Sequence, residues 1–189
     1  MKKAICTLKS LTPITFGRQH ETEKLKGESH EDYENRTWKE KVYYDESGYG
    51  LIKGIMVANC IRASAKYLNR QIPGKGKSTF TKHFNAGIII LDNIVLKETR
   101  ETIQGTRVNV PSDGMVGGTK RVARIFPIVH EWEGQLMVII GDDTITEDVF
   151  TDVLQNAGNL IGLGTWRPIS RGMNGRFEAV NIKWIDERI

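Results

Sequence analysis

The chain has 189 residues, of which 26% are charged and 39% hydrophobic, and its formal net charge is +4 at pH 7. This length suits one domain with large insertions and is sufficient to bury a full core. Because no run approaches the ~20 apolar residues of a membrane span, and the first residues lack the apolar region of a signal peptide, we expect a soluble cytoplasmic protein with no membrane partner.

The charges are distributed unevenly along the chain. Residues 125–166 contain seven acids and no Lys or Arg, whereas residues 71–124 contain nine basic residues and four acids. Such a separation predicts one face that binds a polyanion and another face that is turned away from it.

The predicted elements begin with a strand over residues 2–11, whose alternating apolar side chains include Cys6. Residues 18–41 follow as a long polar segment. We predict that this segment is too polar for the core, so that it is either mobile or ordered by a partner. Residues 42–44 and 49–52 then predict a short hairpin.

The first predicted helix covers residues 54–70, and Cys60 lies on its apolar face. We expect both cysteines to be small core residues with free thiols. A basic loop at 72–83 leads into a strongly apolar stretch, 87–96, which predicts a central strand. Residues 97–124 form a second long insertion that is rich in turn residues.

Two further strands are predicted at 125–132 and 135–140, joined by a Glu-Gly hairpin signal. The second helix follows over 144–161, with a capping box that begins at Thr144. A glycine-rich stretch separates this helix from a last strand at 176–184.

The resulting order, β-α-β-β-α-β, predicts an α+β fold of the ferredoxin-like (RRM-like) class. In this fold two helices pack on one face of a four-stranded antiparallel sheet and leave the other face free. We expect a single domain over residues 1–189, from which two long insertions emerge at about 12–53 and 97–124.

Enzyme motifs are weak in this sequence. Gly76-Lys77-Ser78 matches the end of a phosphate-binding loop, but Gln71 stands where that motif needs its first glycine, and a helix precedes the loop where a strand should. The loop is better explained as a basic, flexible segment that grips backbone phosphates.

The histidines and cysteines lack the close spacing of a metal site, so we expect no metal and no cofactor. His20 and His83 lie in polar, basic surroundings and could serve as a general base for RNA cleavage. A solvated or phosphate-contacting histidine is the simpler interpretation of both.

The glycine-rich stretch at 162–177 holds four glycines, three arginines, one tryptophan and no acid. Glycines allow a backbone to turn tightly and to lie close to a ligand. Arginine suits phosphate and stacks on bases, and Trp166 offers a flat face to a nucleobase. The alternative is a helix C-cap followed by an ordinary surface loop.

Basic side chains in loops, with aromatic residues among them, are typical of proteins that hold single-stranded nucleic acid. The candidate nucleic-acid-binding residues all lie in loops or insertions and are Arg18, Arg36, Lys75, Lys77, Phe80, Lys82, Arg107, Lys120, Arg121, Arg124, Trp166, Arg167, Arg171 and Arg176.

With these features the chain resembles the RAMP superfamily of CRISPR-associated proteins, and most of all the backbone subunit of CRISPR effector complexes. Residues 8–14 resemble the family's first strand and the loop after it, and residues 162–175 resemble its glycine-rich loop. Residues 97–124 occupy the place of its thumb, which wedges between bases. Some family members cleave target RNA with a loop aspartate, for which Asp113 is the position to test.

The resemblance implies RNA or single-stranded DNA in a groove and side-by-side assembly into a filament. The compact size and the sequence character suggest a stand-alone, phage-encoded relative. We therefore expect a non-catalytic protein that coats a single strand cooperatively as a homo-oligomer. Two alternatives remain open: a metal-independent endoribonuclease that uses His20 or His83, and a phage protein that interferes with a CRISPR complex by mimicry.

Overall fold

The computed structural model describes residues 1–112 and 120–185. Asp113 lies outside them. The described strands are β1 Lys2–Ser10, β2 Ile14–Thr15, β3 Tyr43–Tyr44, β4 Tyr49–Ile52, β5 Ile88–Ile90, β6 Ile94–Thr99, β7 Gln104–Pro111, β8 Arg121–Val129, β9 Glu133–Ile140 and β10 Phe177–Ile185. The described helices are α1 His30–Thr37, α2 Gly54–Leu68, α3 Thr81–Gly87 and α4 Glu147–Asn156.

Within these residues, one sheet has four antiparallel strands in the order β10-β1-β9-β5. The alternation in β1 buries Ala4, Cys6 and Leu8 on one face, because successive side chains of a strand point to opposite faces. Helices α2 and α4 pack together over the core, where Ser64 Oγ donates a hydrogen bond of 2.9 Å to the Val153 carbonyl. The predicted α+β class is confirmed.

The register of this sheet defines two ends of the molecule. At one end Lys2 pairs with Ile140, and Ile140 pairs with Ile88. At the other end Ser10 pairs with Phe177. The eight residue steps of β1 correspond to about 26 Å at the rise of an extended strand. We call these the Lys2 end and the Ser10 end.

Two smaller described sheets have the orders β2-β8-β7 and β3-β4-β6. The prediction of a hairpin that joins 125–132 to 135–140 is therefore wrong, because β8 pairs with β7 and β2 while β9 pairs with β1 and β5. The glycine that suggested the turn, Gly134, lies inside β9. A Cβ at this position would overlap the side chain of Ile94, so the glycine serves close packing.

The apolar stretch at 87–96 is likewise not one central strand. It ends α3, provides β5 at the edge of the four-stranded sheet, and then enters β6 of another sheet. Two polar side chains separate the strands. Asp92 Oδ2 accepts from the Met137 backbone N–H at 2.9 Å, and Asn93 Oδ1 accepts from the Gly54 backbone N–H at 3.1 Å.

The polar segment 18–41 contributes to the core, contrary to the prediction. Helix α1 begins after Ser29, whose Oγ accepts from the Asp32 backbone N–H at 3.1 Å. Glu34 and Lys41 are no more than 9% exposed. Burial of these charged residues is possible because they form an ion pair with each other.

Four predictions are confirmed, with bounds that agree with the structure to within five residues. They are the β3–β4 hairpin, the helices α2 and α4, and the last strand β10. Helix α4 is capped by Thr146, whose hydroxyl accepts from the Val149 backbone N–H, and not by Thr144.

Both cysteines are buried free thiols, and burial raises the pKa of Cys6 and of Cys60 to about 12. No helix among the described residues is long and apolar enough to cross a membrane.

Candidate nucleic-acid interface

The structure divides the predicted binding residues between the two ends of the sheet. The loop before α3 leads into β5 and therefore lies at the Lys2 end. The β7–β8 hairpin, α1 and the glycine-rich loop gather at the Ser10 end, where the Leu11 backbone N–H donates to the Arg176 carbonyl. The residues of the Ser10 end are Arg18, Arg36, Arg107, Lys120, Arg121, Arg124, Trp166, Arg167, Arg171 and Arg176.

At the Lys2 end, Lys75, Lys77 and Lys82 are exposed. Phe80 is different. It is 6% exposed and belongs to the hydrophobic core just before α3, so the prediction that it stacks on a base is wrong. A ring that is this well buried has no free face for a ligand. The three lysines remain predicted phosphate contacts.

Acidic residues also lie near the Lys2 end. His83 Nδ1 lies 2.6 Å from the carboxylate of Asp142, and Arg70 forms a 2.6 Å ion pair with Asp152. Desolvation raises the pKa of Asp142, but hydrogen bonds from His83 and from Thr144 outweigh it and hold this pKa below its usual value. The residues that flank the basic loop, Arg70 and His83, are therefore in contact with the acidic segment, which the sequence suggested lies on a separate face.

The glycine-rich loop is hydrogen-bonded to β2 and to the residue that precedes β2. The Thr165 backbone N–H donates to the Thr15 carbonyl at 2.9 Å, and the Thr15 hydroxyl donates back to the Thr165 carbonyl at 2.8 Å. The Gly175 N–H donates to the Pro13 carbonyl at 2.7 Å, and its own carbonyl accepts from the Leu163 N–H at 2.9 Å. These bonds close the loop on itself and fix its base.

The glycines of this loop allow its backbone segments to approach each other closely. A Cβ at Gly172 would overlap the carbonyl of Trp166, and one at Gly175 would overlap the carbonyl of Leu163. Gly175 also has a positive φ of 76°, which other residues adopt only at a cost. The sequence suggested that these glycines bring the backbone near a ligand. The structure gives them a role within the loop.

The fixed loop presents cations and one aromatic ring. Arg167 and Arg171 are exposed, and neither makes an ion pair with the residues that the structure describes. Trp166 is half-buried, with its ring centroid 4.5 Å from that of Phe126 and the two planes inclined by 57°. Partial exposure keeps Trp166 available as a predicted stacking residue, although Phe126 already covers part of it.

Helix α1 is joined to the hairpin by a buried carboxylate. The Glu34 carboxylate accepts from Lys41 Nζ, from the Ile125 backbone N–H at 2.6 Å and from Arg124 Nη1 at 3.2 Å. Burial raises the pKa of Glu34, but these three donors outweigh it, so the pKa lies below its usual value. The carboxylate therefore neutralises part of the positive charge of Arg124 and Lys41.

Other arginines at the Ser10 end are also paired. Arg36 Nε lies 2.7 Å from the carboxylate of Glu28, and its hydrogen bond lowers the pKa of Glu28 to about 2. Arg107 contacts Glu31 at 2.8 Å and Asn35 at 2.7 Å. The contacts of Arg107 hold α1 against the hairpin, whereas Arg36 pairs with the chain just before α1. Both arginines therefore contribute less free charge than the sequence suggested.

The remaining arginines of this end contact an aromatic ring or backbone carbonyl oxygens. The guanidinium of Arg18 lies over the ring of Tyr43, 4.5 Å from its centroid. Arg121 donates to the Asn109 carbonyl at 3.2 Å, and Arg176 donates to a carbonyl oxygen near the end of α4. None of these contacts neutralises the charge.

Two clefts, of about 490 and 570 Å³, flank Tyr33 between α1 and the hairpin. We call them together the α1–hairpin trough. Its charged lining residues are the cations Arg18, Lys24, Lys41, Lys120 and Arg124 and the acids Glu31 and Glu34. Five cations face two carboxylates, and the trough is therefore suited to a polyanion.

The sequence did not indicate Lys24, Tyr33 and Lys41 as binding residues, because their polar segment predicts a stretch that is either mobile or ordered by a partner. A local signal was present. Ser29 and Asp32 form a helix N-terminus pattern, and a helix that begins there includes Tyr33 in its first turns. The partners of these residues on the hairpin carry no such signal.

No protein-family model matches the chain. No curated protein sequence matches it. Among solved structures, the chain is similar to a chain of the Type III-B Cmr-beta structure, determined by cryo-electron microscopy with cognate target RNA bound. The TM-score is 0.54 and the identity 11%, over 98% of this chain and 61% of that one. This chain thus spans about three fifths of its neighbour's length, and the likeness concerns the fold.

Proposed function

We propose that this protein binds single-stranded nucleic acid, in particular RNA, along the α1–hairpin trough and the glycine-rich loop, and that it does not cleave the strand. The observation that carries the proposal is the trough itself, in which five cations face two acids at the same end of the sheet as Arg167 and Arg171. Phosphate contacts of this kind supply most of the affinity for a single strand.

We propose that the core belongs to the ferredoxin-like class and that the chain is a phage-encoded relative of the RAMP superfamily. The strand order β10-β1-β9-β5 places the first strand of the core between the last and the third, as two interleaved β-α-β units do. The fold likeness to a chain from an RNA-bound Cmr-beta structure supports RNA over DNA as the ligand.

The glycine-rich loop is suited to contact the backbone of a bound strand, because the loop is held in place and is not a mobile tail. Its hydrogen bonds to Thr15 and Pro13 fix the path of the loop before any ligand arrives. Arg167 and Arg171 therefore project from a fixed base, and less conformational freedom is lost when a strand binds.

A direct test is fluorescence anisotropy with labelled single-stranded RNA, single-stranded DNA and duplex, at two salt concentrations and with chelator present. We expect the single strands to bind and remain intact, with RNA tighter. Affinity should fall by roughly 0.7 log units per contacted phosphate for each tenfold rise in salt. Affinity that does not depend on salt contradicts the proposal. Absence of binding to every strand also overturns it, and favours the interaction protein that mimics a CRISPR subunit.

We also propose that several copies coat one strand cooperatively as a homo-oligomer. The measurement is the mass of complexes formed on RNAs of increasing length, at protein concentrations below saturation. Cooperative coating predicts that fully covered and bare strands coexist, with few partly covered ones. A binomial spread of occupancies contradicts cooperativity and leaves the binding proposal intact.

A metal-independent endoribonuclease is the second candidate, because His20 lines the trough and its Nδ1 has no hydrogen-bond partner among the described residues. His83 is a weaker candidate, since Asp142 binds it at the Lys2 end. The discriminating measurement is the length of labelled RNA after long incubation in chelator. Shortened products that disappear in His20→Ala would replace the first proposal with this one.

A further inference from the structure

We propose that the smaller cleft of the α1–hairpin trough is a pocket for one unpaired nucleobase and its phosphate. This inference rests on the proposed function and makes it more specific. It requires that Tyr33 and His20 recognise a base, in addition to the backbone contacts that the cations provide.

The size and the walls of the cleft fit a single base. Its volume of about 490 Å³ lies within the roughly 300–1,000 Å³ of small-ligand sites. The rings of Tyr33 and Phe126 and the side chains of Val110 and Pro111 form apolar walls. A flat, apolar ligand with a polar edge suits such a pocket.

The charges of the cleft suit one phosphate. Lys41 and Arg124 both bind the Glu34 carboxylate, so this cluster of three keeps one net positive charge. Arg18 lines the same cleft, and its guanidinium lies over the ring of Tyr43. A base that enters the cleft thus brings its own phosphate into a cationic environment.

His20 is positioned to respond to a ligand. Its ring is roughly parallel to that of Tyr33, with the planes at 26° and the centroids 6.1 Å apart. Its Nδ1 is buried and has no partner among residues 1–112 and 120–185. A buried polar atom without a partner is unfavourable, so a small rotation of the ring toward a donor or acceptor on a base would remove this cost.

The inference also explains a preference for single strands. A base in a duplex must leave its stack and its partner before it can enter a pocket, which costs free energy that an unpaired base does not lose. The trough alone, as an electrostatic surface, would bind both forms.

The test is a comparison of two single-stranded RNA probes of equal length, one with uracil at every position and one with abasic sites throughout. Both probes carry the same phosphates. We would measure the affinity of each for the wild type and for Tyr33→Leu, His20→Ala and Tyr67→Leu. Tyr67 is a matched control, because it is an exposed tyrosine on α2, away from the trough.

We expect the wild type to bind the uracil probe at least tenfold more tightly than the abasic probe, as follows from base stacking on aromatic rings. This ratio should fall about tenfold in Tyr33→Leu and several-fold in His20→Ala, and it should not change in Tyr67→Leu. A ratio that survives both pocket variants overturns the inference.

Two further outcomes separate this inference from the proposed function. Equal, salt-sensitive binding of both probes by the wild type overturns the base pocket and leaves the proposed function standing. Absence of binding to either probe overturns both. Because the Tyr33 hydroxyl donates to the Thr22 carbonyl at 2.7 Å, Tyr33→Leu could perturb the fold. Tyr33→Phe keeps the ring and should keep the ratio of the affinities for the uracil and abasic probes. If Tyr33→Leu does not fold, the change of this ratio in His20→Ala decides the test.

Discussion

The two ends of the four-stranded sheet use charge in different ways. At the Ser10 end, three of the candidate arginines are held by carboxylates, and the buried carboxylate of Glu34 joins α1 to the β7–β8 hairpin. At the Lys2 end, the lysines before α3 are exposed beside acids that pair with Arg70 and His83. The difference teaches that a basic residue in a loop can either bind a ligand or build the surface that binds it. The sequence does not separate these roles.

The largest expected effect concerns the two kinds of ion pair. Glu34→Ala leaves Lys41 buried without its partner and should lower the free energy of unfolding by about 3–5 kcal/mol. Asp152→Ala at the Lys2 end breaks an exposed pair and should cost at most about 1 kcal/mol. Urea unfolding measures both. Equal losses of stability in the two variants would contradict the distinction between a buried ion pair at one end and an exposed pair at the other.

A second pair of variants compares the glycine-containing loops. Gly172→Ala forces a Cβ onto the Trp166 carbonyl and should cost about 3 kcal/mol. In Gly76→Ala, at the Lys2 end, the added Cβ meets no neighbouring atom. The free energy of unfolding should therefore fall only by the roughly 1–2 kcal/mol that a positive φ costs a residue with a side chain. Thermal unfolding of each variant measures the difference. A Gly172→Ala protein as stable as Gly76→Ala would show that the loop adapts easily.

The third prediction compares the free cations of the two ends. The double variant Arg167→Ala/Arg171→Ala should reduce the salt slope of single-strand binding by about 1.4, if each arginine contacts one phosphate. Lys75→Ala/Lys77→Ala removes the same charge at the Lys2 end, and we expect a smaller change. Anisotropy titrations over a salt series measure both slopes. An equal loss in the lysine variant would extend the interface to both ends.

The smallest effect is a local titration. The folded pKa of Glu28, about 2, lies below its unfolded value of about 4.3. The stabilisation from its pair with Arg36 is therefore complete above the unfolded value and is lost as the pH falls through about 2. Arg36→Ala should return the pKa of Glu28 toward its usual value, as followed by NMR of the carboxyl carbon. Arg70→Ala, at the other end, should leave it unchanged.

Local patterns predicted much of the fold. The first and last strands, the β3–β4 hairpin, α2 and α4 all follow from the spacing of apolar residues within one segment. The errors occur where one segment depends on another. Gly134 has the composition of a turn residue, and its role becomes visible only from Ile94, which packs against it. Asp92 ends β5 and accepts a hydrogen bond from the backbone of β9, a partner that the local sequence does not reveal.

The site was predicted in part for the same reason. Arg167 and Arg171 are exposed, as expected, because they lie in a loop whose glycines are visible in the sequence. Phe80 was assigned to the surface because its neighbours are basic, yet it packs in the core. Arg124 was predicted as a free cation, and its partner Glu34 lies 90 residues away in the sequence.

The buried thiol of Cys60 gives the glycine-rich loop a built-in chemical reporter. Its Sγ lies 3.3 Å from the carbonyl of Ala157 and 3.4 Å from that of Gly162, where the loop begins. Because only the thiolate reacts and burial raises the pKa of this thiol to about 12, an alkylating reagent can modify it only when the packing between α2, the turn after α4 and the start of the loop opens. The rate of alkylation at Cys60 therefore measures how often this junction opens, and a strand that holds the loop in place would slow the reaction.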